Sequence, residues 1–153
     1  MNHALLRLPS LLVCLLFVQA IHADVDVKIT FSENIVQFTD GRITAKNVRS
    51  QFDCGERIHG VFQLGNLESG SRKIHTQWRS PNGRVESVNK REIRIQSAQQ
   101  IIFLSSSIEF SAGDPLSSIF DPAAGFEPYI GKWSAEVLID NQLVKSAEFQ
   151  VLC

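Results

Sequence analysis

Alternation of apolar and polar positions runs through this chain, and it is cleanest at the end, from Gly131 to Cys153 (GKWSAEVLIDNQLVKSAEFQVLC). Trp133, Ala135, Val137 and Ile139 share one phase, with Ser134 and Glu136 in the other. After a polar break, Leu143, Ala147, Phe149, Val151 and Cys153 repeat the pattern, with Ser146, Glu148 and Gln150 opposite. A period of two marks a half-buried antiparallel strand, so this stretch reads as a hairpin. Both apolar sets fall on odd numbers, so facing residues must sum to an even number. A three-residue loop, Asp140-Asn141-Gln142, meets that condition by pairing Ile139 with Leu143 and Trp133 with Phe149. A two-residue loop would turn one apolar face to water, because a one-residue slip inverts a strand.

Upstream, the same pattern predicts further strands. Asp24–Thr30 alternates on Val25, Val27 and Ile29, and Ile35–Phe38 either extends it or forms a second piece before an Asp40-Gly41 turn. Gly41–Asp53 is ambiguous, with Ile43 and Val48 as its aliphatic anchors. Glu56–Leu64 places Ile58, Gly60, Phe62 and Leu64 inward, and Lys73–Arg79 does the same with Ile74, Thr76 and Trp78. Ser80-Pro81-Asn82-Gly83 has the residues of a β-turn: Pro presets one torsion, and Asn and Gly tolerate positive φ. Arg84–Ile95 reads as an edge strand rich in cations, a common guard against edge pairing. Ile101–Phe110 closes the set, with Ile102, Leu104, Ile108 and Phe110 in register. Ser111–Ile130 contains Asp114-Pro115, Asp121-Pro122 and Glu127-Pro128, which exclude a long regular element, yet it carries Leu116, Ile119, Phe120, Phe126 and Tyr129. A loop this long is usually functional or packed over the core. Many short strands, turn signals between them and no helix predict an antiparallel β-sandwich of about seven to eight strands.

The first 23 residues change the picture of where the protein works. Arg7 precedes the apolar run Leu11–Val18, and small residues follow at Ala20 and Ala23. This is the anatomy of a secretory signal peptide cleaved after one of those alanines, leaving 24–153 as one domain with no membrane span. About 130 residues suffice for one core. Removing the leader takes away one cation, moving the formal charge from −1 to −2. That balance argues against nucleic-acid binding, and a periplasmic or secreted location is expected. Two cysteines survive processing, Cys54 and Cys153, and an isolated pair in an exported chain is most often a disulfide. If the strands alternate in direction from Cys54 onward, both cysteines fall at the same pole, as a bond requires.

The Gly-x-Trp hairpin, through Gly131, Trp133, Val137, Leu143, Phe149 and Val151, resembles the closing strands of immunoglobulin-like domains in bacterial periplasmic and secreted proteins, several families of which have no assigned function. Ile74-His75-Thr76-Gln77-Trp78 with Pro81-Asn82-Gly83 is similar to the central strand and turn of such domains. The resemblance implies an immunoglobulin-like sandwich. It departs from the antibody type at Ala135, where a cysteine would stand, so the Cys54–Cys153 bond ties a pole rather than pinning the sheets at their centre. Fold of this kind does not fix function.

Candidate chemistry is sparse. No nucleophile elbow, zinc-protease helix or phosphate-binding glycine loop is present. No catalytic residue, metal or cofactor is therefore assigned. His59 and His75 would meet only if their strands formed one hairpin; in a sandwich they belong to different sheets. Lys73, Arg79, Arg84, Arg91 and Arg94 form a candidate face for an anionic ligand, against the plainer reading of a charged outer strand. Trp78 and Trp133 occupy inward phases and read as core. Leu116, Ile119, Phe120, Phe126 and Tyr129 are the candidate partner contact. The expectation is a non-catalytic accessory module with a protein partner in the cell envelope. The alternatives are an inhibitor or immunity-type protein acting through loop 111–130, or a small metal-dependent enzyme using His59 or His75.

Overall fold

The computed structural model describes residues 25–110 and 125–153. It places nine strands in two sheets, as a sandwich. They are β1 (Asp26–Gln37), β2 (Ile43–Val48), β3 (Gln51–Asp53), β4 (Ile58–Gly65), β5 (Gly70–Arg79), β6 (Val85–Ile95), β7 (Ile102–Ile108), β8 (Gly131–Ile139) and β9 (Gln142–Leu152). A 3-10 turn, Glu127–Tyr129, precedes β8. One sheet has the order β2-β1-β4-β7 and the other β3-β9-β8-β5-β6. All pairs are antiparallel except β3 with β9, which is parallel.

The inward phases read from the sequence hold for β4, β5 and β7. Ile58, Phe62, Leu64, Ile74, Trp78, Ile102 and Leu104 are buried in one core with Trp133, Phe149 and Val151. Aromatic rings run through this core from layer to layer. Phe149 lies 4.7 Å from Phe31, 5.8 Å from Phe52 and 5.7 Å from Trp78, between ring centres. Trp133 continues the series to Phe110 at 4.8 Å, and Phe110 stacks on Tyr129 at 5.0 Å. The indole N–H groups are satisfied: Trp78 Nε1 donates to Ser106 Oγ at 2.9 Å, and Trp133 Nε1 to the Tyr129 carbonyl at 2.7 Å.

The terminal hairpin differs from its expectation. Trp133 does face Phe149, but the loop has two residues, with Ile139 opposite Gln142. Asp140 and Asn141 both take left-handed φ, 51° and 68°, the torsions a two-residue hairpin turn needs. A register shift between Val137 and Leu138 absorbs the parity: Val137 faces Lys145, whereas Leu138 faces Leu143. Val144 is the extra residue of a β-bulge. The phase therefore flips, Leu143 is 58% exposed, and Val144 packs on the core instead. Asp140 fixes the turn to the neighbouring strand, its Oδ1 accepting the Lys73 N–H at 3.0 Å. Its N–H in turn donates to the Lys73 carbonyl at 2.8 Å.

One of the two anchors expected in Gly41–Asp53 also changes, while Ile43 is buried as expected. Val48 is 62% exposed, and Phe52, at 1%, is the buried residue of that region. The first strand is continuous from Asp26 to Gln37, and the ambiguous stretch divides into β2 and β3, so the strand number exceeds the seven or eight expected. Outside the main core, Val61 of β4 is buried in a hollow it shares with Ile43 of β2 and Phe103 of β7.

Cys54 and Cys153 are bonded, with Cα atoms 5.3 Å apart. They tie the chain just after β3 to the residue after β9, the pole that parity indicated. Among the described residues no helix is long and apolar enough to cross a membrane.

Candidate functional site

The structure separates the candidate residues into different regions. His59 lies on β4 and His75 on β5, in different sheets. Burial holds the His59 imidazole below its ordinary pKa, with the Arg57 charge adding to the effect. Among the described residues no three His, Cys, Asp or Glu side chains come together as a metal-binding group.

The cations do not make one uniform face. Lys73 and Arg79 share the outward phase of β5, and Arg94 pairs with Ser71 on that same phase. Arg91 pairs with Ile74, so it belongs to the opposite phase at the strand edge. Lys73 lies opposite Glu92, whose carboxylate accepts from Ser71 Oγ at 2.6 Å, and Arg84 is paired with Glu86 at 3.7 Å. Arg79 holds Glu136 by two hydrogen bonds, Nε to Oε1 at 2.9 Å and Nη2 to Oε2 at 3.0 Å. Gln77 adds a third, Nε2 to Oε2 at 2.6 Å.

This Glu136 cluster is a strut across β8 and β5 on the outer face. The Arg79 hydrogen bonds keep the Glu136 carboxyl below its ordinary value of 4.5, against the opposing effect of burial and with help from Gln77. A depressed folded-state pKa means stability that is present above the unfolded value and lost as pH falls through the folded one. Glu136→Gln should lower the melting temperature by about 2–5 °C at pH 7. The difference from the parent should close as pH falls below 4.5. Thermal unfolding of both proteins along a pH series checks it. A constant gap down to the lowest pH would exclude the charged strut.

The apolar loop is seen only at its return. Leu116, Ile119 and Phe120 lie outside the described residues. Phe126 and Tyr129 are half-buried and packed against the core. Tyr129 sits between Phe110, on which its ring stacks, and Trp133, which its carbonyl binds. These two aromatics form the edge of the core at that pole.

A different surface emerges along the open side of the sandwich. β1 pairs with β4 over Asp26–Ser32 on one side, but with β2 on the other side only from Ser32 onward. β9 pairs with β8 along its length, but with β3 only over Gln150–Leu152. Among the described residues, Asp26–Phe31 and Leu143–Phe149 therefore each leave one strand edge without a partner strand. The two edges face each other across a seam. One end of it is lined by Val25, Val27 and Val144. The other is lined by Ile29, Phe31, Ala147 and Arg49. The crossing segment Val48–Ser50 closes the seam, held by the Arg49 N–H to the Phe31 carbonyl at 3.2 Å. Arg49 stacks 4.8 Å over Phe52 and binds Glu56 at 2.7 Å. Its Nε is a buried donor without an acceptor among the described residues.

Sequence reasoning missed this seam. Alternation identifies the faces of a strand, whereas an open edge depends on which strands become neighbours. The only local signal was the shortness of the stretch between Val48 and Cys54, which cannot supply a strand long enough to cover β9.

No protein-family model matches the chain, and no curated protein matches it. Among solved structures, the chain is similar to part of a beta-glucosidase from Listeria innocua, at 12% identity and a TM-score of 0.43, covering 83% of this chain and 16% of that one. It is also similar to part of beta-glucosidase 3B from Thermotoga neapolitana, solved in complex with alpha-D-glucose, at 11% identity and a TM-score of 0.39, covering 81% and 16%. The chain thus spans about a sixth of the length of those proteins. Scores and identities this low say nothing of what this chain does.

Proposed function

We propose that the protein is an exported, non-catalytic binding module that acts as an accessory factor through protein–protein contacts in the cell envelope. The observation that carries this reading is the open seam between β1 and β9, with two strand edges and apolar side chains of the core at one accessible surface. Export is supported by the leader-like pattern of residues 1–23 and by the Cys54–Cys153 bond, which persists in oxidising compartments. The cationic strand β6 and the matched charges on β5 serve as a guard on the far edge rather than as the contact.

The test is cross-linking in intact cells with a lysine-reactive reagent, followed by mass spectrometry. The expected result is a mature chain beginning at Ile21 or Asp24, with Lys28 and Lys145 linked to one recurrent envelope protein. A chain that keeps Met1–Ala23 in the cytosol, or one whose lysines form no links beyond itself, would overturn the reading.

A further inference from the structure

We propose that the seam between β1 and β9 accepts an extended, acidic peptide segment of a partner protein, which adds as a strand to the open edge of β9. This rests on the binding-module reading and names the chemistry of the partner.

Three observations carry it. The first is the backbone. β3 covers only Gln150–Leu152 of β9, so the donors and acceptors along Leu143–Phe149 have no strand beside them among the described residues. The groups that satisfy such a row in full are those of another extended chain. The uncovered run of β1, Asp26–Phe31, is long enough to flank about five residues, roughly 17 Å of strand.

The second is the pattern of the seam. Ile29, Val144 and Ala147 are only partly buried, at the margin of the core. A strand laid on β9 would cover them with every second side chain and present the others to water. The ligand is therefore a segment with alternating apolar residues.

The third is charge. The seam carries Lys28, Lys145 and Arg49 against Asp26 and Glu148. Glu148 is bridged by Lys132 at 3.2 Å, and Arg49 is held by Glu56. Among the described residues, Lys28 and Lys145 then stand against Asp26 alone, leaving a surplus of positive charge. Lys145 also occupies the core-side phase, opposite Val137, where the bulge at Val144 sets it. A charged residue in that position repels apolar or basic strands and rewards an acid, so the device that protects the edge also selects its partner. A second copy of this chain would bring the same cation surplus to the seam, and like charges facing each other across a sheet are unfavourable.

The probe is a library of random twelve-residue peptides displayed on phage, selected on the full oxidised chain and then on the double variant Lys28→Glu, Lys145→Glu. Neither lysine belongs to the core, so the variant keeps the fold. Expected on the parent chain are peptides alternating apolar and polar residues with Asp or Glu included. The best of them, made synthetically, should slow amide hydrogen exchange at Val144–Glu148. The double variant should bind that peptide about tenfold or more weakly and should enrich basic peptides in place of acidic ones. The inference is overturned by any of three results. They are no enrichment over an empty support, equal binding to parent and variant, or a chain that sediments as a dimer with its seam amides already protected. The two readings fail separately. A native partner cross-linked elsewhere defeats the seam while leaving the binding-module reading, and peptide selection with no envelope partner does the reverse.

Discussion

Trp78→Ala should destabilise the fold by about 3–5 kcal/mol, the cost of truncating a fully buried indole. The melting temperature should fall by more than about 10 °C. Trp78 has this leverage because it joins the layers. It stands on β5 in the five-stranded sheet, yet its Nε1 donates to Ser106 Oγ on β7 of the other. Its ring meets Phe31 at 6.1 Å and the edge of Phe149 at 5.7 Å. The opposing sheet is shaped to receive it. A Cβ added to Gly60 of β4 would lie 3.1 Å from Trp78 Cη2 and 3.0 Å from Phe62 Cζ. Gly60→Ala alone should therefore cost about 1–3 kcal/mol by overpacking. In the Trp78→Ala background the clash with the indole is gone and the Phe62 ring can shift into the vacated space, so the two changes should be non-additive. Equilibrium urea unfolding of the four proteins measures this cycle. Additive values would show that Gly60 and Trp78 do not contact each other, contrary to the packing described above. Trp78→Phe should cost less than alanine, because the ring is kept and only the Ser106 hydrogen bond, about 1 kcal/mol net, is lost with some volume.

The strands with one fully buried face were legible in the sequence for a single reason. On β4 and β5 the core-facing positions alternate, and Ile58, Phe62 and Leu64, like Ile74 and Trp78, each fall in one unbroken phase, with Val61 buried separately on the other face. The pole of the disulfide followed from counting strands, which is insensitive to their boundaries. Short or interrupted elements were not legible. β3 is three residues long, so Phe52 had no neighbours with which to establish a period. Val48 carries an apolar side chain but stands on an exposed edge strand. The bulge at Val144 reverses the phase within β9, and the best sign of it was the Asp140-Asn141 pair, two residue types that tolerate left-handed torsions. The three-residue loop satisfied parity; the protein satisfies it with a bulge and a tighter turn. The seam depends on strand order, a tertiary property, and most of the candidate contact loop lies outside the described residues.

Removing the disulfide should have an effect of similar size but different character. The bond joins residues 99 apart. For a loop of that length the chain-entropy model gives about 4–5 kcal/mol, and measured losses for native disulfides run from about 2 to 5 kcal/mol. The double variant Cys54→Ser, Cys153→Ser should therefore unfold at a much lower urea concentration. Its m-value should rise, because the unlinked denatured chain exposes more surface. A second consequence is local to the folded state. β3 touches β9 through three residue pairs, reinforced by the Cys54 N–H to the Leu152 carbonyl at 3.0 Å and the Gln150 N–H to the Ser50 carbonyl at 2.8 Å. Without the covalent tie, so short a parallel pairing should open far more often than the rest of the sheet. Phe52 would then leave Phe149, against which it packs edge-on. Native-state hydrogen exchange separates the two contributions. If the bond acts only on the denatured state, protection at Gln150–Leu152 falls by no more than the global loss. If it also secures β3, those amides exchange faster than the global change allows, while amides of β8 facing β5 follow the global value. We expect the second outcome, because among the described residues β9 is held on that side by β3 alone, and β3 is too short to stay paired without the bond.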